Sequence, residues 1–256
     1  MSSNYTILSS DIPVSMHQKW YDIANEDHFW MIWRFEIFKK VINEKYSIGN
    51  RAIDIGCGHG IFKNQVENEF HIPVDGCDLD PQSLAMALTG LGDLFLYNIF
   101  DLNASMVNKY DSCFLMDVLE HIDDDVTFLR KCAMHVKIGG AIYINVPAGQ
   151  YLFSKYDESM GHERRHSISS LTSTIEKAGL EVCTMRYWAF SLIPLAYIRK
   201  IIVASETDMN KIVQRGFKPP GVLAHTTLKT VSAIENIIPI HWPIGASLMA
   251  VCKKNK

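Results

Sequence analysis

A strand that runs directly into closely spaced glycines is the first pattern in this sequence able to carry chemistry. Residues 51–55 are mostly apolar and contain Asp54, and they lead into Gly56-Cys-Gly-His-Gly60, after which a helical pattern continues to Phe70. Glycines allow the backbone to approach a ligand, and N–H groups of the next helix then face that ligand. The spacing argues against NAD, because the dinucleotide fingerprint needs glycine where Ile61 stands. A tight turn needs glycine in any case, so this turn alone does not decide the ligand.

An acid at the end of the next predicted strand strengthens the case for a ligand. Asp78 closes the strand Val74–Asp78, where a carboxylate can accept hydrogen bonds from both hydroxyls of a ribose. Asp80 competes for this role, but it directly precedes Pro81 and is better suited to cap a helix. The glycine turn and Asp78 together predict a nucleoside-type ligand.

Histidines and arginines follow two later strands. His121 lies in the segment Asp117-Val-Leu-Glu-His121, and a second group stands at residues 162–166, His-Glu-Arg-Arg-His. Histidine is the commonest general base near neutral pH, so His121 and His162 are the candidate catalytic residues. Arg164, Arg165 and His166 are placed to bind an anionic or hydroxylated ligand. The alternative for this second group is a solvated run of charges.

The order of the predicted elements places all these residues at one edge of a sheet. Short strands are predicted at residues 51–55, 74–78, 94–97, 111–117, 141–146, 180–187 and 246–252, with helices between them. This alternation is typical of βαβ units with a parallel sheet and helices on both faces. Ligands of such sheets bind at the carboxyl ends of the strands.

Composition limits the remaining choices. The 256 residues are 48% hydrophobic and 21% charged, which fits one globular domain and excludes a disordered or coiled-coil chain. The net charge of −3 gives no reason to expect a nucleic-acid partner. None of the six cysteines forms a Cys-x-x-Cys pair, which excludes zinc-ribbon and thioredoxin-type sites. Residues 1–10 lack a signal-peptide pattern, so we expect a cytoplasmic location.

Two outer segments have the composition of covers. Residues 28–43 have the pattern of an amphipathic helix, and residues 188–244 are rich in Pro, Trp and Ile and lack strand patterns. We predict that residues 188–244 form a helical lid, either packed on the core or closed over an acceptor with an apolar portion. A weak contact between this lid and a membrane surface is a further expectation, with Arg199 and Lys200 near an anionic head group. The apolar run from Tyr187 to Ile198 is too short to span a bilayer.

Four segments of the chain resemble the class I S-adenosylmethionine (SAM)-dependent methyltransferases. They are Ala52-Ile-Asp-Ile-Gly-Cys-Gly-His-Gly60, Val74-Asp-Gly-Cys-Asp-Leu-Asp-Pro81, Asp111-Ser-Cys-Phe-Leu-Met-Asp-Val-Leu-Glu-His-Ile122 and Lys137-Ile-Gly-Gly-Ala-Ile-Tyr-Ile-Asn-Val-Pro147. Residues 26–34 and 156–166 are similar to outer segments of some bacterial members.

The resemblance implies SAM as the cofactor and S-adenosylhomocysteine as the product. The glycine turn would pass under the methionine part of SAM, Asp78 would hold the ribose, and an aromatic N-terminal helix would cover the site. Asn98 departs from the acid often found beside the adenine, which leaves Asp101 as an alternative there. The implied cofactor-binding residues are Trp30, Arg34, Asp54, Gly56, Cys57, Gly58, Asp78, Leu79, Asn98, Ile99, Asp117 and Val118.

The predicted protein is therefore a single-domain methyltransferase that methylates a small-molecule acceptor. Its Rossmann-like core is a seven-stranded mixed sheet formed by residues 48–187 and 245–254, with an N-terminal helical cap (residues 1–47) and the lid (residues 188–244). A metal-assisted O-methyltransferase of the quinone-pathway type is an alternative, because Asp117, Glu120 and His121 match metal-binding positions of those enzymes; we expect no metal. A SAM- or nucleoside-binding module without catalysis is the alternative from another class.

Overall fold

A computed structural model describes residues 4–10, 25–208, 211–212, 221–238 and 241–255. The strands are β1 (Thr6–Ile7), β2 (Ala52–Ile55), β3 (Val74–Asp78), β4 (Leu94–Leu96), β5 (Tyr110–Met116), β6 (Val136–Pro147), β7 (Glu181–Trp188) and β8 (Ser247–Lys253). The helices are α1 (Phe29–Lys45), α2 (Ile61–Phe70), α3 (Pro81–Met86), α4 (Asp125–His135), α5 (Lys155–Ser159), α6 (Ile168–Lys177), α7 (Ile193–Val203) and α8 (Val222–Ile237).

One sheet organises these elements, in the strand order β1-β4-β3-β2-β5-β6-β8-β7. The strands pair in parallel except β8, which is antiparallel to both β6 and β7. The predicted α/β, Rossmann-like mixed sheet is confirmed. The predicted number of strands is wrong, because the two-residue strand β1 pairs with β4 and makes the sheet eight-stranded.

Local sequence explains the start of α3 but not the end of α4. Asp80 caps α3 with its side chain and Pro81 opens that helix, as the sequence predicts. The pair Gly139-Gly140 does not end a helix: α4 ends earlier, at His135, and these glycines lie inside β6. Gly139 N–H donates to Lys254 O there, so pairing with the C-terminal residues extends the strand past the glycines.

An aromatic layer joins α1 to the sheet. Phe38 on α1 makes edge-to-face contacts with Phe62, Phe114 and Tyr143, at ring-centroid distances of 4.9, 5.3 and 5.2 Å. Such pairs contribute about 0.5–1.5 kcal/mol each beyond the area they bury. The predicted amphipathic helix is therefore held on the face of the sheet by its aromatic side.

The described part of the predicted lid is helical and contacts two other regions. On α8, His225 Nε2 accepts from Phe29 N–H at 3.3 Å, and Asn236 Oδ1 accepts from Trp33 Nε1 at 3.2 Å. The α7 side contacts the segment that follows β6, where Arg199 lies over the Tyr156 ring.

Arg199 and Lys200 on α7 both contact the segment that follows β6. The Arg199 guanidinium carbon is 4.3 Å from the centroid of the Tyr156 ring, and Lys200 Nζ donates to Tyr151 O at 2.8 Å. Both cations thus contact the protein itself, and their approach to an anionic head group stays a prediction.

Candidate functional site

Backbone geometry reserves the turn between β2 and α2 for glycine. Gly56, Gly58 and Gly60 have φ values of +75°, +54° and +81°, in the region that residues with a Cβ rarely adopt. A Cβ at Gly56 would lie 2.6 Å from Val118 Cγ2. Gly56 N–H donates to Cys77 O at 2.8 Å, which holds the turn against the end of β3. The turn therefore lies at the carboxyl edge of the sheet, between the ends of β3 and β5.

Asp78 faces this turn from the end of β3. Its Oδ2 accepts from Gly58 N–H at 2.8 Å, and its Oδ1 accepts from Asp80 N–H at 2.9 Å. Burial raises the pKa of the Asp78 carboxyl, while these backbone bonds oppose that rise. The carboxylate thus ties the glycine turn to β3, at the position where a ribose would need an acceptor.

Asp54 is a buried carboxyl with an unused oxygen beneath the turn. It is 2% exposed, and its Oδ1 atom has no hydrogen-bond partner. Burial raises the pKa of Asp54 to about 7, and the Arg34 guanidinium opposes this rise. A donor or cation brought by a ligand would satisfy this group.

A chain of polar contacts connects α1 to the carboxyl edge. Arg34 Nη1 donates to Asp117 Oδ2 at 2.7 Å, and Asn145 Nδ2 donates to Asp117 Oδ1. Trp188 Nε1 donates to Asn145 Oδ1 at 3.0 Å, and Trp30 stacks on Trp188 with centroids 4.5 Å apart. Asp117 has a φ of +63°, a strained value for a residue with a side chain. Trp30, Arg34 and Asp117, all expected near the cofactor, are therefore connected through Asn145 and Trp188.

The edge beyond β3 carries the residues expected near an adenine. Asn98 Oδ1 accepts from Phe100 N–H at 3.0 Å and so caps a short turn, while Asn98 N–H donates to Ser9 Oγ at 2.9 Å. Ile99 is buried and Leu79 is half-buried. The N-terminal residues around β1 thus reach the part of the candidate site where an adenine is expected.

Asp157 organises the segment after β6. Its Oδ1 accepts from Arg165 Nε at 2.8 Å and from His162 Nδ1 at 3.1 Å, and its Oδ2 accepts from Ser154 N–H at 2.9 Å. Burial acts to raise the pKa of Asp157, but the bonds and charges of His162 and Arg165 outweigh it and leave the pKa lowered. Arg165 also donates to Ala148 O, so its guanidinium serves an internal ion pair rather than an open acceptor surface.

His121, His162 and Glu120 meet beside this segment. The two imidazole centroids are 4.8 Å apart in an edge-to-face arrangement, and His121 Nδ1 lies 3.2 Å from Gly161 O. Glu120 is fully buried, and neither of its carboxylate oxygens has a hydrogen-bond partner. Burial raises the pKa of Glu120, and the charge of Asp117 adds to that effect. Burial and His162 together lower the pKa of His121 to about 4.

A cavity of about 320 Å³ lies between the start of α4 and the start of α6. His166 lines it, is 2% exposed, and has no partner at either ring nitrogen. Arg164, also in the lining, lies 3.3 Å from the Asp125 carboxylate. The cavity therefore combines an imidazole without partners with a balanced pair of opposite charges.

Asp117, Glu120 and His121 do not fit the metal set implied by the resemblance. Both Asp117 oxygens are engaged, one by Arg34 and the other by Asn145. In the described part of the chain, the group able to hold a metal ion is Glu120, His121 and His162, whose ligand atoms all lie within 4.8 Å of one another. The described residues include no helix long and apolar enough to cross a membrane.

Comparison with known proteins supports the class that this geometry indicates. A family model described as a methyltransferase domain matches residues 53–144. A ubiquinone biosynthesis O-methyltransferase from Bordetella avium is 30% identical over 168 residues, which cover 58% of this chain and 69% of that protein. One from Neisseria meningitidis is 25% identical, over 63% of this chain and 75% of the relative. Matches to enzymes of the same name from Xanthomonas oryzae cover only 43% of those proteins.

Solved structures show the same fold at low identity. A SAM-dependent methyltransferase from Archaeoglobus fulgidus has a TM-score of 0.54 and 16% identity, covering 86% of this chain and 94% of that one. Phosphoethanolamine N-methyltransferase 2 from Haemonchus contortus, solved with SAM, has a TM-score of 0.57 and 18% identity, covering 90% and 56%. The chain belongs to the class I SAM-dependent methyltransferase family, and SAM is its methyl donor.

Three contributors to the candidate site were missed by sequence reasoning. Ser9 reaches Asn98 because β1 pairs with β4. The two residues of β1 are too few to show a strand pattern in the sequence. Asp157 looked like one more charge in a polar segment, although Ser154 three residues earlier forms a capping box with it. Asn145 lies inside a β-branched strand, and a buried amide in such a strand was the available signal.

Proposed function

We propose that this methyltransferase acts on a hydroxyl oxygen of a small molecule that carries an apolar portion. The observation that carries the proposal is the pair His121 and His162. Each ring has Nδ1 beside an acceptor: Gly161 O for His121 and Asp157 Oδ1 for His162. A carbonyl or an ionised carboxylate only accepts, so each neutral ring carries its proton on Nδ1 and keeps a lone pair on Nε2.

The cofactor-binding half of the proposal uses the ends of β2, β3 and β5. The methionine part would cross the glycine turn at Gly56, Cys57 and Gly58, near Asp54, Val118 and the Arg34–Asp117 pair. The ribose would meet Asp78, and the adenine would lie against Leu79, Asn98 and Ile99. Trp30 would cover the site from α1.

The reaction then needs little chemistry from the protein. The acceptor hydroxyl gives its proton to an imidazole Nε2, and the oxygen forms a bond to the methyl carbon as the carbon–sulfur bond breaks. The electron pair of that bond returns to sulfur, which yields S-adenosylhomocysteine and a methyl ether. Alignment of oxygen, carbon and sulfur supplies most of the acceleration.

Arg164 and His166 are proposed to bind the polar part of the acceptor. Both line the cavity beside α6, and His166 has two ring nitrogens without partners. Arg165 is proposed to act indirectly, because its bond to Asp157 fixes the carboxylate that orients His162.

The lid supports the apolar portion of the acceptor. On α7 five large apolar side chains are between 51% and 64% exposed: Leu195, Tyr197, Ile198, Ile201 and Ile202. The α7 sequence contains two cations and no acid. The acid on α8, Glu235, is buried and accepts from Phe190 N–H and Ser191 N–H. This exposed apolar surface is suited to a membrane interface.

Flotation with vesicles of phosphatidylcholine and phosphatidylglycerol tests the membrane contact. We expect wild type to float at low salt and the double variant Ile198→Glu/Ile201→Glu to remain in the dense fraction. Ile138→Glu is the matched control, because Ile138 is 70% exposed on the strand β6, outside the lid. Equal flotation of both variants, or wild type that does not float but dimerises through this face, would refute the membrane contact.

Methyl transfer to hydroxyl acceptors tests the reaction. We expect S-adenosylhomocysteine to form from a prenylated hydroxyaromatic acceptor, with a higher kcat/KM than from the same ring without its tail. The corresponding methyl ether, which has no free hydroxyl, should not be methylated. Turnover that is equal with and without the tail would refute the apolar portion, and methylation of the amine analogue alone would refute the hydroxyl.

A further inference from the structure

The cavity between α4 and α6 lies where both helices begin. Asp125 is the first residue of α4, and Ser167 caps α6 by accepting from Ser170 N–H. The N-terminus of a helix carries a partial positive charge and favours an anion. Acids occupy the cap and the first turn of α4, whereas the first turn of α6 contains none. The positive end of α6 is therefore not offset by an acid of its own.

His166 is the buried polar side chain that points to a ligand in this cavity. It lines the cavity, is 2% exposed, and has no hydrogen-bond partner at either ring nitrogen. Burial lowers the pKa of His166, so the ring is neutral near pH 7 and has one N–H to donate. A buried N–H without an acceptor is unfavourable, and a ligand with an acceptor oxygen would satisfy it.

Arg164 and Asp125 determine which charge the cavity accepts. Arg164 Nη1 lies 3.3 Å from Asp125 Oδ2, and Arg164 Nη2 donates to Asp123 O at 3.1 Å. The Arg164 side chain is still 30% exposed, so its guanidinium can also contact an anion in the cavity. The Asp125 carboxylate, which also accepts from Thr174 Oγ1 at 3.1 Å, is 14% exposed and lies beside the same position. Like charges repel at this range, so a second negative charge on the ligand is disfavoured.

The remaining charges of the lining leave a small positive excess. Arg165, the second cation of the lining, is paired with Asp157. Arg164 and Asp125 offset each other, which leaves the N-terminus of α6 and the N–H of His166 to attract a ligand. A singly charged oxyanion fits this balance better than a doubly charged phosphate.

One segment joins the cavity to the two imidazoles proposed to accept the proton. Arg165 lines the cavity and donates to Asp157, whose Oδ1 also contacts His162. Glu163 N–H donates to Glu120 O at 2.8 Å, next to His121. Ligand pockets measure about 300–1,000 Å³. The cavity, at about 320 Å³, therefore suits the polar ring of an acceptor rather than its apolar tail.

We propose that Arg164, His166 and the N-terminus of α6 bind a carboxylate of the methyl acceptor, and that Asp125 makes this site selective for a single negative charge. The carboxylate accepts from the Arg164 guanidinium and from the ring N–H of His166. This inference rests on the proposed function in taking the ligand to be the methyl acceptor. The charge preference itself is measured by binding alone, without methyl transfer.

Calorimetric titration of the full-length protein, loaded with S-adenosylhomocysteine, tests the site. The three probes share one prenylated phenol ring and differ only in a carboxylate, carboxamide or phosphate substituent. We expect wild type to bind the carboxylate about tenfold or more tightly than the carboxamide, because a charge-assisted hydrogen bond is lost in the amide. Arg164→Gln should abolish this preference. Arg130→Gln is the matched control and should keep it, since Arg130 is an exposed cation of α4 outside the cavity lining.

Asp125→Asn tests the selectivity for a single charge. Asparagine can still accept from Thr174 but carries no charge, so the variant should bind the phosphate probe about tenfold more tightly than wild type does. The affinity for the carboxylate should rise less. A residue with a merely structural role would not produce this gain.

Three results would overturn the proposal: no preference of wild type for the carboxylate over the carboxamide, no measurable binding of the carboxylate, or an equal loss of preference in Arg130→Gln and Arg164→Gln. Tighter binding of the phosphate than of the carboxylate by wild type would refute the role of Asp125. Cooperative melting and SAM binding of each variant identify misfolding. A carboxylate that binds as expected but is not methylated would refute the proposed function and leave the site standing. Methylation of the carboxamide with the same kcat/KM as the carboxylate would do the reverse.

Discussion

Buried acids at the two edges of the sheet differ in how completely they are hydrogen-bonded. At the amino edge, Asp75 is fully buried and accepts hydrogen bonds from Arg51, Lys109 and Tyr110. At the carboxyl edge, Asp54 and Glu120 are equally buried, yet each has at least one oxygen without a partner. Asp75 is thus fully paired as folded, whereas Asp54 and Glu120 keep acceptor oxygens that a ligand can satisfy.

This contrast separates an acid that supports the fold from acids that a ligand can complete. A buried polar group with all its bonds supports the fold, while one without partners lowers stability and marks a position that a ligand can complete. Paired substitutions, one at each edge, test whether the contrast is real.

The largest expected effect comes from Gly56→Val. The substitution places a side chain at a φ of +75°, with its Cβ 2.6 Å from Val118, in the proposed path of the cofactor. We expect SAM affinity, measured by calorimetry, to fall by more than about 100-fold, with a loss of stability that exceeds the roughly 1–2 kcal/mol of left-handed strain.

Gly139→Val is the control at the amino edge. Gly139 has a φ of +81°, but a Cβ there meets no atom within 4 Å. This variant should show the backbone strain and retain SAM affinity. Equal losses of affinity in both variants would mean that the glycine turn acts only through general stability.

Asp54→Asn should improve stability while it weakens SAM binding. Burial raises the pKa of Asp54 to about 7, so the folded protein binds a proton more tightly than the unfolded chain. The free energy of unfolding of wild type therefore decreases as pH rises from about 4 through 7. Asn does not titrate, so the variant should gain about 2–4 kcal/mol relative to wild type between pH 4 and pH 8.

Asp75→Asn should show the opposite trend. Burial acts to raise the pKa of Asp75, but hydrogen bonds from Arg51, Tyr110 and Lys109 leave it lowered. Its contribution to stability is present above the unfolded-state pKa and is lost on acidification. Denaturant unfolding across this pH range measures both variants, and parallel curves for the two would remove the proposed contrast between the edges.

A pair of histidines gives the smallest expected effect. His135 is buried with partners, since its Nε2 lies 2.8 Å from Tyr97 Oη and its Nδ1 lies 2.8 Å from Lys131 O. His135→Leu should therefore cost about 1–3 kcal/mol. His166→Leu removes a buried imidazole without partners, so the free energy of unfolding should stay equal or rise, while the KM for the acceptor increases.

The free energy of unfolding should depend on pH through His135, with a defined sign. Burial lowers the pKa of His135, so below pH 6.5 the unfolded chain binds more protons than the folded protein. Wild-type stability should fall on acidification, and His135→Leu should flatten that fall. A His166→Leu variant that loses more stability than His135→Leu would show that His166 supports the fold.

The proposed cofactor half rests on signals that are local in the sequence. The glycines Gly56 and Gly58 are required by backbone conformation, and Asp78 by its place at a strand end. Both features depend on neighbours in the chain. The strand Val74–Asp78 and the cap at Asp80 were predicted at their observed positions. Strand β1 was missed, because its two residues are too few for a strand pattern and are recognised only by their pairing with β4.

The proposed acceptor half depends on contacts between residues distant in sequence. His121 and His162 could be named as candidates, but their approach and their orientation by Gly161 and Asp157 follow from the packing of the segment after β6. The hydrogen bond from Arg34 to Asp117 joins residues 83 positions apart, so no local pattern predicts it.

Calorimetric titration of SAM into wild type and Asp78→Ala tests the central claim most directly. Asp78 is the carboxylate that joins the glycine turn to β3 and is proposed to accept the ribose hydroxyls. We predict one SAM per wild-type chain and a loss of about 1.5–3 kcal/mol in Asp78→Ala, roughly 10- to 150-fold in affinity, with the variant still folded. Equal affinity of the two proteins for SAM would contradict the assignment of the cofactor site to this edge.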